Sequence, residues 1–386
     1  MELTVDFGWT DEQQQLREAT LRFARAELAT DLAKWESAGS FPPQAWRRCA
    51  EFGIQGMPVP QRFGGQGADL VTTAMVFETL GHGSADNGLL FSLGAHLWSC
   101  ALPILRFGTD EQRSRYLPGL CDGSLIGVQA VTEHGSGSDA LAVSTTATPV
   151  PDGYVLDGAK TYITNAPVAG VFLVLAALAD RTGPSRLCAF VVDRDSPGLT
   201  VGEPVDKLGL KTSPMAEVYL SGCRVPASAL LGEPGAGMTV FTTTIEWERG
   251  FIMASALGTM ARQLDEAVTH AKGHRRFGRP IGQNQSVANR IVDMRVRLDS
   301  ARLLVYQLAW LKDQGKRTPM ESAIVKLAVS ESLVDNSMAA MELFGAAGYM
   351  AGAPQERDVR DALASRFYSG TADIQRTIVA RLLGLP

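Results

Sequence analysis

Ala130-Val131-Thr132-Glu133-His134-Gly135-Ser136-Gly137-Ser138-Asp139 lies where the periodicity of the chain changes. Before it, roughly the first 120 residues carry helical signals. Thr10-Asp11-Glu12-Gln13 has the form of a capping box, and Leu16, Thr20, Phe23 and Glu27 follow at helical spacing. Pro42-Pro43 opens a helix bearing Trp46 and Phe52, and the loop 60–67 punctuates before a helix over 70–80. After it come short, β-branched-rich runs bounded by Gly, Pro and Asp at 144–150, 154–164, 171–178, 187–192 and 217–220. Pro151-Asp152-Gly153 marks a tight turn between the first two.

From about Ala236 the helical period returns, with long patterns over 238–272, 285–314 and 319–344 and a short one after Ile374. Short connections between them predict an antiparallel bundle. Helices interrupted by one β block are an uncommon order. The expectation is an α+β fold: an N-terminal all-α domain over 1–124, a middle β-sandwich or barrel over 125–232, and a C-terminal four-helix bundle over 233–386.

The 386 residues carry a net charge of −5, with 45% hydrophobic and 20% charged residues, an ordinary globular composition without a basic footprint for nucleic acid. Met1 to Asp6 lacks the basic and apolar regions of a signal peptide, and no apolar run approaches the ~20 residues of a membrane span. The five cysteines are dispersed and form no Cys-x-x-Cys pair, and neither a metal site nor a disulfide framework is expected. A reduced, cytoplasmic protein with no nucleic-acid or membrane partner is expected, and any redox chemistry would come from an organic cofactor.

The opening loop resembles the Leu-Thr-Glu-Pro-Gly-Ala-Gly-Ser-Asp signature of acyl-CoA dehydrogenases, with His134 in place of proline. Lys160-Thr161-Tyr162-Ile163-Thr164-Asn165 resembles the family's flavin-stacking strand, with Tyr162 for tryptophan. Arg275-Arg276-Phe277-Gly278-Arg279-Pro280-Ile281 with Gln285, and Glu342-Leu343-Phe344-Gly345-Ala346-Ala347-Gly348-Tyr349, are similar to the two runs that complete an FAD site across a subunit interface. His274 stands where arginine is usual, which leaves Arg275 to supply the charge, and Ala346 replaces a glycine. The resemblance implies FAD as cofactor. The residues it points to are Val131, Thr132, Tyr162, Thr164, Arg275, Phe277, Gln285, Glu342, Gly345, Thr371 and Asp373. It also implies a homo-oligomer, dimer or tetramer.

The family's base motif, Tyr-Glu-Gly-Thr-Ser-Glu-Ile-Gln, has its counterpart in Tyr368-Ser369-Gly370-Thr371-Ala372-Asp373-Ile374-Gln375. A serine hydroxyl is too weak to remove the α-proton of a thioester. Glu246-Trp247-Glu248-Arg249-Gly250 offers a replacement, because Glu248 matches the position used as base by some members. Glu246 and Glu248 are ~200° apart around a helix, so only one can face the site. By resemblance, Ser369 would keep its backbone N–H for the thioester oxygen. Ser138, Arg249, Tyr368 and Gly370 would contact substrate.

Phe91, His96, Trp98, Trp247 and Tyr368 are candidate pocket residues, equally readable as core. Trp-Glu-Arg together with Tyr-Ser-Gly-Thr-Ala-Asp looks like the branch that acts on carrier-protein-bound substrates, as do Gly53, Gly64, Gly65, Asn165-Ala166-Pro167 and Gly258-Thr259-Met260. The expected reaction is oxidation of an acyl or aminoacyl thioester on an acyl or peptidyl carrier protein or CoA, with a flavoprotein or oxygen taking the electrons. The alternatives are an ordinary short-chain acyl-CoA dehydrogenase, a flavin monooxygenase on the same fold, and an inactive FAD-binding partner.

Overall fold

The computed structural model describes residues 8–28, 31–140 and 142–385. The Met1 to Asp6 segment weighed above lies outside them. The N-terminal part is helical: α1 (Asp11–Glu27), α2 (Leu32–Ala38), α3 (Pro43–Glu51), α4 (Leu70–Gly83), α5 (Asn87–His96), α6 (Leu102–Phe107) and α7 (Asp110–Cys121). The capping box at Thr10 is formed, with Thr10 Oγ1 accepting from Gln13 N at 3.2 Å and Gln13 Oε1 from Thr10 N at 3.1 Å. Thr109 and Gln112 repeat it at the start of α7.

A π-helical turn, Leu97–Ala101, joins α5 to α6. The resulting stretch Asn87–Phe107 is 21 residues long and apolar enough to cross a membrane, which corrects the sequence reading that no such run exists. It is 83% buried inside the protein and serves as a core helix. Scattered Asn, Ser, His and Gly break up the visible apolar run without making the segment polar overall.

The middle part is one mixed, eight-stranded sheet. Its strands are β1 (Gly127–Ala130), β2 (Thr146–Val150), β3 (Gly153–Thr164), β4 (Val171–Leu178), β5 (Leu187–Asp193), β6 (Leu199–Val201), β7 (Met215–Pro226) and β8 (Leu230–Leu231). The order is β6-β7-β3-β2-β4-β5-β8, with β1 parallel to β4 in the register Gly127 to Val171. Val150 pairs with Gly153, so Pro151-Asp152 closes the expected hairpin. β4 is buried along its whole length, as its unbroken apolar sequence requires. β3 and β7 pair with a register shift between Lys160 and Ile163. Tyr162, inside that bulge, has φ +58°, and 62% of its surface is exposed.

The C-terminal part comprises α8 (Gly237–Phe251), α9 (Ala254–Gly273), the hairpin β9 (Arg275–Arg276) and β10 (Arg279–Pro280), α10 (Gln285–Asp313), α11 (Pro319–Phe344), α12 (Ala346–Tyr349), α13 (Pro354–Ala364) and α14 (Ala372–Leu382). The single helix expected over 238–272 is two helices. The break falls at Ile252 and Met253, both buried, where the Tyr368 hydroxyl lies 3.6 Å from the Met253 sulfur. α13 was not expected from the sequence.

The two helical parts share one core that includes Phe77, Trp98, Phe251 and Leu257. α4 and α9 cross at glycines. A Cβ on Gly258 would stand 1.8 Å from the Glu78 carbonyl oxygen, and one on Gly81 would stand 2.0 Å from that of Ser255. This close approach fixes α9, and the α5–α6 rod packs against α8, so Ser99 and Glu248 come face to face.

Candidate active site

Glu246 and Glu248 point to different surroundings, as helical geometry requires. Glu246 is bonded to Lys312 and accepts from Thr318 N at 2.9 Å and Thr318 Oγ1 at 3.0 Å. Glu248 faces the loop between α13 and α14. Its Oε1 accepts from Ser369 Oγ at 2.5 Å and its Oε2 from Ser99 Oγ at 2.8 Å. The sequence reading gave Ser369 only a backbone role. In the structure its hydroxyl is also a donor to the neighbouring carboxylate.

Ser369 sits at φ +54°, a costly conformation for a residue with a side chain. Three hydrogen bonds hold the loop there. Arg249 Nε donates to the Ser369 carbonyl at 3.2 Å, and Gln375 Nε2 donates to the carbonyls of Ser369 at 3.2 Å and Gly370 at 2.9 Å. Thr371 caps α14 by accepting from Ile374 N at 3.3 Å, while Asp373 lies on the exposed face beside Arg376.

Lys326 of α11 has no exposed surface. Its ammonium donates to the Ser365 carbonyl and lies 4.9 Å from the Tyr368 ring centroid. Burial pulls this lysine down to about 7, with the Glu248 carboxylate opposing and the Arg249 guanidinium adding to the effect. The Tyr368 ring also packs 4.5 Å from that of Phe91. The two rings, with Leu210, Ile252 and Ser255, border a small cavity. Asn87 spans its polar end, donating to Asp358 at 3.2 Å and Asp361 at 3.0 Å. Burial pushes the Asp361 carboxyl up to about 7.

Of the other pocket candidates, His96 and Trp98 are wholly buried in the core. His96 Nδ1 accepts from Gly127 N at 3.0 Å, and its Nε2 lies 2.9 Å from the Leu120 carbonyl. Trp247 packs against Arg106 and Lys312.

The loop 130–139 is anchored by Glu133, which accepts from Thr145 N at 3.0 Å, Ser144 N at 2.8 Å and Lys160 Nζ at 2.7 Å. Burial pushes the Glu133 carboxyl up, but the donors from Lys160, Ser144 and Thr145 outweigh it and hold it at about 2. Thr161 N donates to the Thr132 carbonyl at 2.9 Å, which brings Val131 and Thr132 alongside Tyr162 and Thr164. Ser138 is exposed on the same loop, and His134 reaches Glu217 of β7 at 2.7 Å.

A second group gathers at the far end of α9 and α11. Phe277 tips the β9–β10 hairpin at φ +52° with its whole side chain exposed. Arg275 donates to the Gly278 carbonyl at 2.5 Å, so its guanidinium closes its own turn. Gln285 opens α10, Glu342 pairs with Arg290 at 3.2 Å, and Gly345 ends α11 at φ +61°. His274, which stands where arginine was expected, stacks on His270 at 4.6 Å, and His270 lies 4.1 Å from the Phe344 ring. Two aromatic faces, Tyr162 and Phe277, are thus held at positive φ and left uncovered. Such faces fit a planar ring system laid against them.

Family models for the acyl-CoA dehydrogenase N-terminal, middle and C-terminal domains match residues 10–124, 129–223 and 235–384. The chain belongs to the acyl-CoA dehydrogenase family. It is accordingly an FAD-dependent oxidoreductase, and the fold carries the family's helical, sheet and helical parts in order.

Among its relatives, an L-prolyl-[peptidyl-carrier protein] dehydrogenase of Pseudomonas fluorescens is 39% identical over 99% of this chain and 100% of its own. The mitochondrial short-chain specific acyl-CoA dehydrogenase of Rattus norvegicus is 37% identical over 96% of this chain and 89% of its own. The crystal structure of the prolyl acyl carrier protein oxidase AnaB superposes with a TM-score of 0.96 at 42% identity, covering 98% of this chain and 100% of AnaB. The structure of PigA with FAD and proline does so with a TM-score of 0.96 at 38% identity, covering 99% and 100%.

Sequence reasoning missed Ser99, which is 149 residues from its partner, and no local pattern marks it. It also missed Lys326, although a lone lysine in Ala323-Ile324-Val325-Lys326-Leu327-Ala328-Val329 is a readable signal of a buried charge.

Proposed function

We propose that this enzyme oxidises the α,β bond of an aminoacyl or acyl thioester carried on a phosphopantetheine arm, with Glu248 as the base. The observation that carries the reading is the Glu248 carboxylate itself, 2.5 Å from the serine that occupies the family's base position. A carboxylate there compensates for the one that Ser369 lacks. The bound flavin would accept the β-hydride at N5.

The chain's own residues would supply everything else. Glu248 takes the α-proton. The Ser369 backbone N–H, on a loop pinned by Arg249 and Gln375, faces the thioester oxygen and stabilises the developing enolate. Tyr368 and Gly370 border the acyl group, and Ser138 meets the pantetheine arm. Val131, Thr132, Tyr162 and Thr164 support the flavin ring. Thr371 and Asp373 lie along the cofactor, and Arg275, Phe277, Gln285, Glu342 and Gly345 complete its diphosphate and adenosine end across a homo-oligomeric interface. The apolar row Val292, Val296, Leu303 and Trp310, exposed on α10, suits such an interface.

The carrier-protein relatives favour a prolyl-type aminoacyl group over a CoA ester. Relatives named both dehydrogenase and oxidase leave a flavoprotein and oxygen as candidate electron acceptors. The five buried free thiols suit a reducing cytoplasm.

The test is anaerobic mixing of the FAD-loaded protein with prolyl-loaded peptidyl carrier protein and with prolyl- and butyryl-CoA. Bleaching by the carrier-bound substrate is expected. Bleaching by CoA esters alone would move the protein to acyl catabolism, and a flavin that stays oxidised with all of them would refute the dehydrogenase reading.

A further inference from the structure

Buried helical hydroxyls in this protein usually turn back on their own helix. Thr20, Thr79, Thr244 and Ser337 each donate to the carbonyl four residues earlier, at 2.7–2.8 Å. Ser99 behaves differently. It is 4% exposed, lies within the π-helical turn Leu97–Ala101, and sends its hydroxyl across to Glu248 Oε2 at 2.8 Å. π-turns arise where a helix accommodates one residue more than its period allows, and they concentrate at functional sites. This one is locked from behind by Trp98, which is wholly buried and stacks on Phe251 of α8 at 4.8 Å. The rod carrying Ser99 and the helix carrying Glu248 are therefore held in fixed register.

We propose that Ser99 is a positioning residue whose hydroxyl, together with that of Ser369, grips one oxygen each of the Glu248 carboxylate and holds it in the orientation from which it takes the α-proton. The inference rests on Glu248 being the base. Two hydroxyls from separate elements converge on one flexible side chain, and that removes its freedom to rotate. A carboxylate has about four acceptor sites, so two donors leave lone pairs free for the incoming proton. After transfer the hydroxyls can turn and accept, and the carboxylic acid stays where the carboxylate was.

Other charged and titratable groups surround this arrangement. Arg249 on α8 binds the Ser369 carbonyl, and Lys326 on α11 and Tyr368 on the active-site loop both lie within electrostatic reach of Glu248. Lys312 of α10 is engaged by Glu246, and Arg106 of α6 lies over Trp247. In the family pattern the residue at 369 is the base. Here it supports a base supplied by another helix.

The experiment uses FAD-loaded wild type, S99A, S369A, E248Q and the S99A/E248Q double variant. The first readout is difference infrared spectroscopy without substrate, with E248Q identifying the Glu248 carboxylate band. S99A should shift that band with FAD content and thermal midpoint unchanged, and S369A should shift it too. The second is anaerobic flavin reduction by prolyl-loaded peptidyl carrier protein. S99A should slow reduction about tenfold, the scale of one hydrogen bond to a charged group, with little change in the half-saturating substrate concentration. In the E248Q background S99A should cost nothing further.

A band that does not move in S99A, or an equal loss of rate in both backgrounds, would overturn the positioning role. E248Q reduced at the wild-type rate would instead overturn the base assignment, so the two failures are distinguishable.

Discussion

Replacing Lys326 by methionine should change how the stability of this protein depends on pH. The side chain has no exposed surface, and its ammonium donates to the Ser365 carbonyl and lies over the face of Tyr368, with Glu248 nearby. Burial therefore penalises the charged form, and the lysine falls from 10.5 to about 7. That gap corresponds to a penalty of about 5 kcal/mol while the lysine is charged, at 1.36 kcal/mol per pH unit. The penalty is fully present below pH 7. Between pH 7 and 10.5 the unfolded chain holds the proton and the folded chain has released it, so folded stability rises with pH.

Methionine has no proton to lose. Wild type should therefore gain on K326M by about 1.4 kcal/mol per pH unit, or about 2–3 kcal/mol between pH 7.5 and 9.5. Urea unfolding of both FAD-loaded proteins at several pH values in that window measures it. Parallel stability curves, or a wild type that loses ground as pH rises, would refute the account of Lys326 as a desolvated charge.

Lys160→Met should destabilise by about 3–5 kcal/mol, because it leaves the Glu133 carboxylate buried without its cation; chemical denaturation would measure this, and FAD should be released more readily as loop 130–139 loosens. Acid should reach the same pair: the part of the stability that rests on Glu133 is intact above pH 4.5 and is lost as pH falls toward 2, visible as a wild-type loss that Glu133→Gln does not share. Gly258→Ala should prevent α4 and α9 from closing, since the added Cβ meets backbone, so soluble yield or thermal midpoint should fall sharply.

The sequence was most informative where physics is local. The capping box at Thr10, the Pro151-Asp152 turn and the apolar run of β4 depend on neighbours in the chain, and each is formed as read. The opposite facing of Glu246 and Glu248 follows from helical period alone. The bulge that turns Tyr162 outward depends on the pairing of β3 with β7, which strand propensity does not encode.

The support of Glu248 was invisible because Ser99 and Ser369 reach it from 149 and 121 residues away. Position 369 was read for the carboxylate it lacks and the backbone N–H it keeps, although its hydroxyl can still donate. Asn87–Phe107 escaped notice because Asn87, Ser92, His96 and Ser99 interrupt its apolar run. The break at Ile252-Met253 has no proline to announce it, and Gly250, two residues before it, is still inside α8.

The central claim is that Glu248 is the proton-abstracting base in a site whose usual base has become a serine. Its most direct test is single-turnover reduction of the FAD-loaded E248Q variant by prolyl-loaded peptidyl carrier protein, mixed anaerobically and followed at the flavin absorbance. The account predicts full FAD content, wild-type folding and a reduction rate lower by ~10²-fold or more. Reduction at the wild-type rate would contradict it and place the base elsewhere.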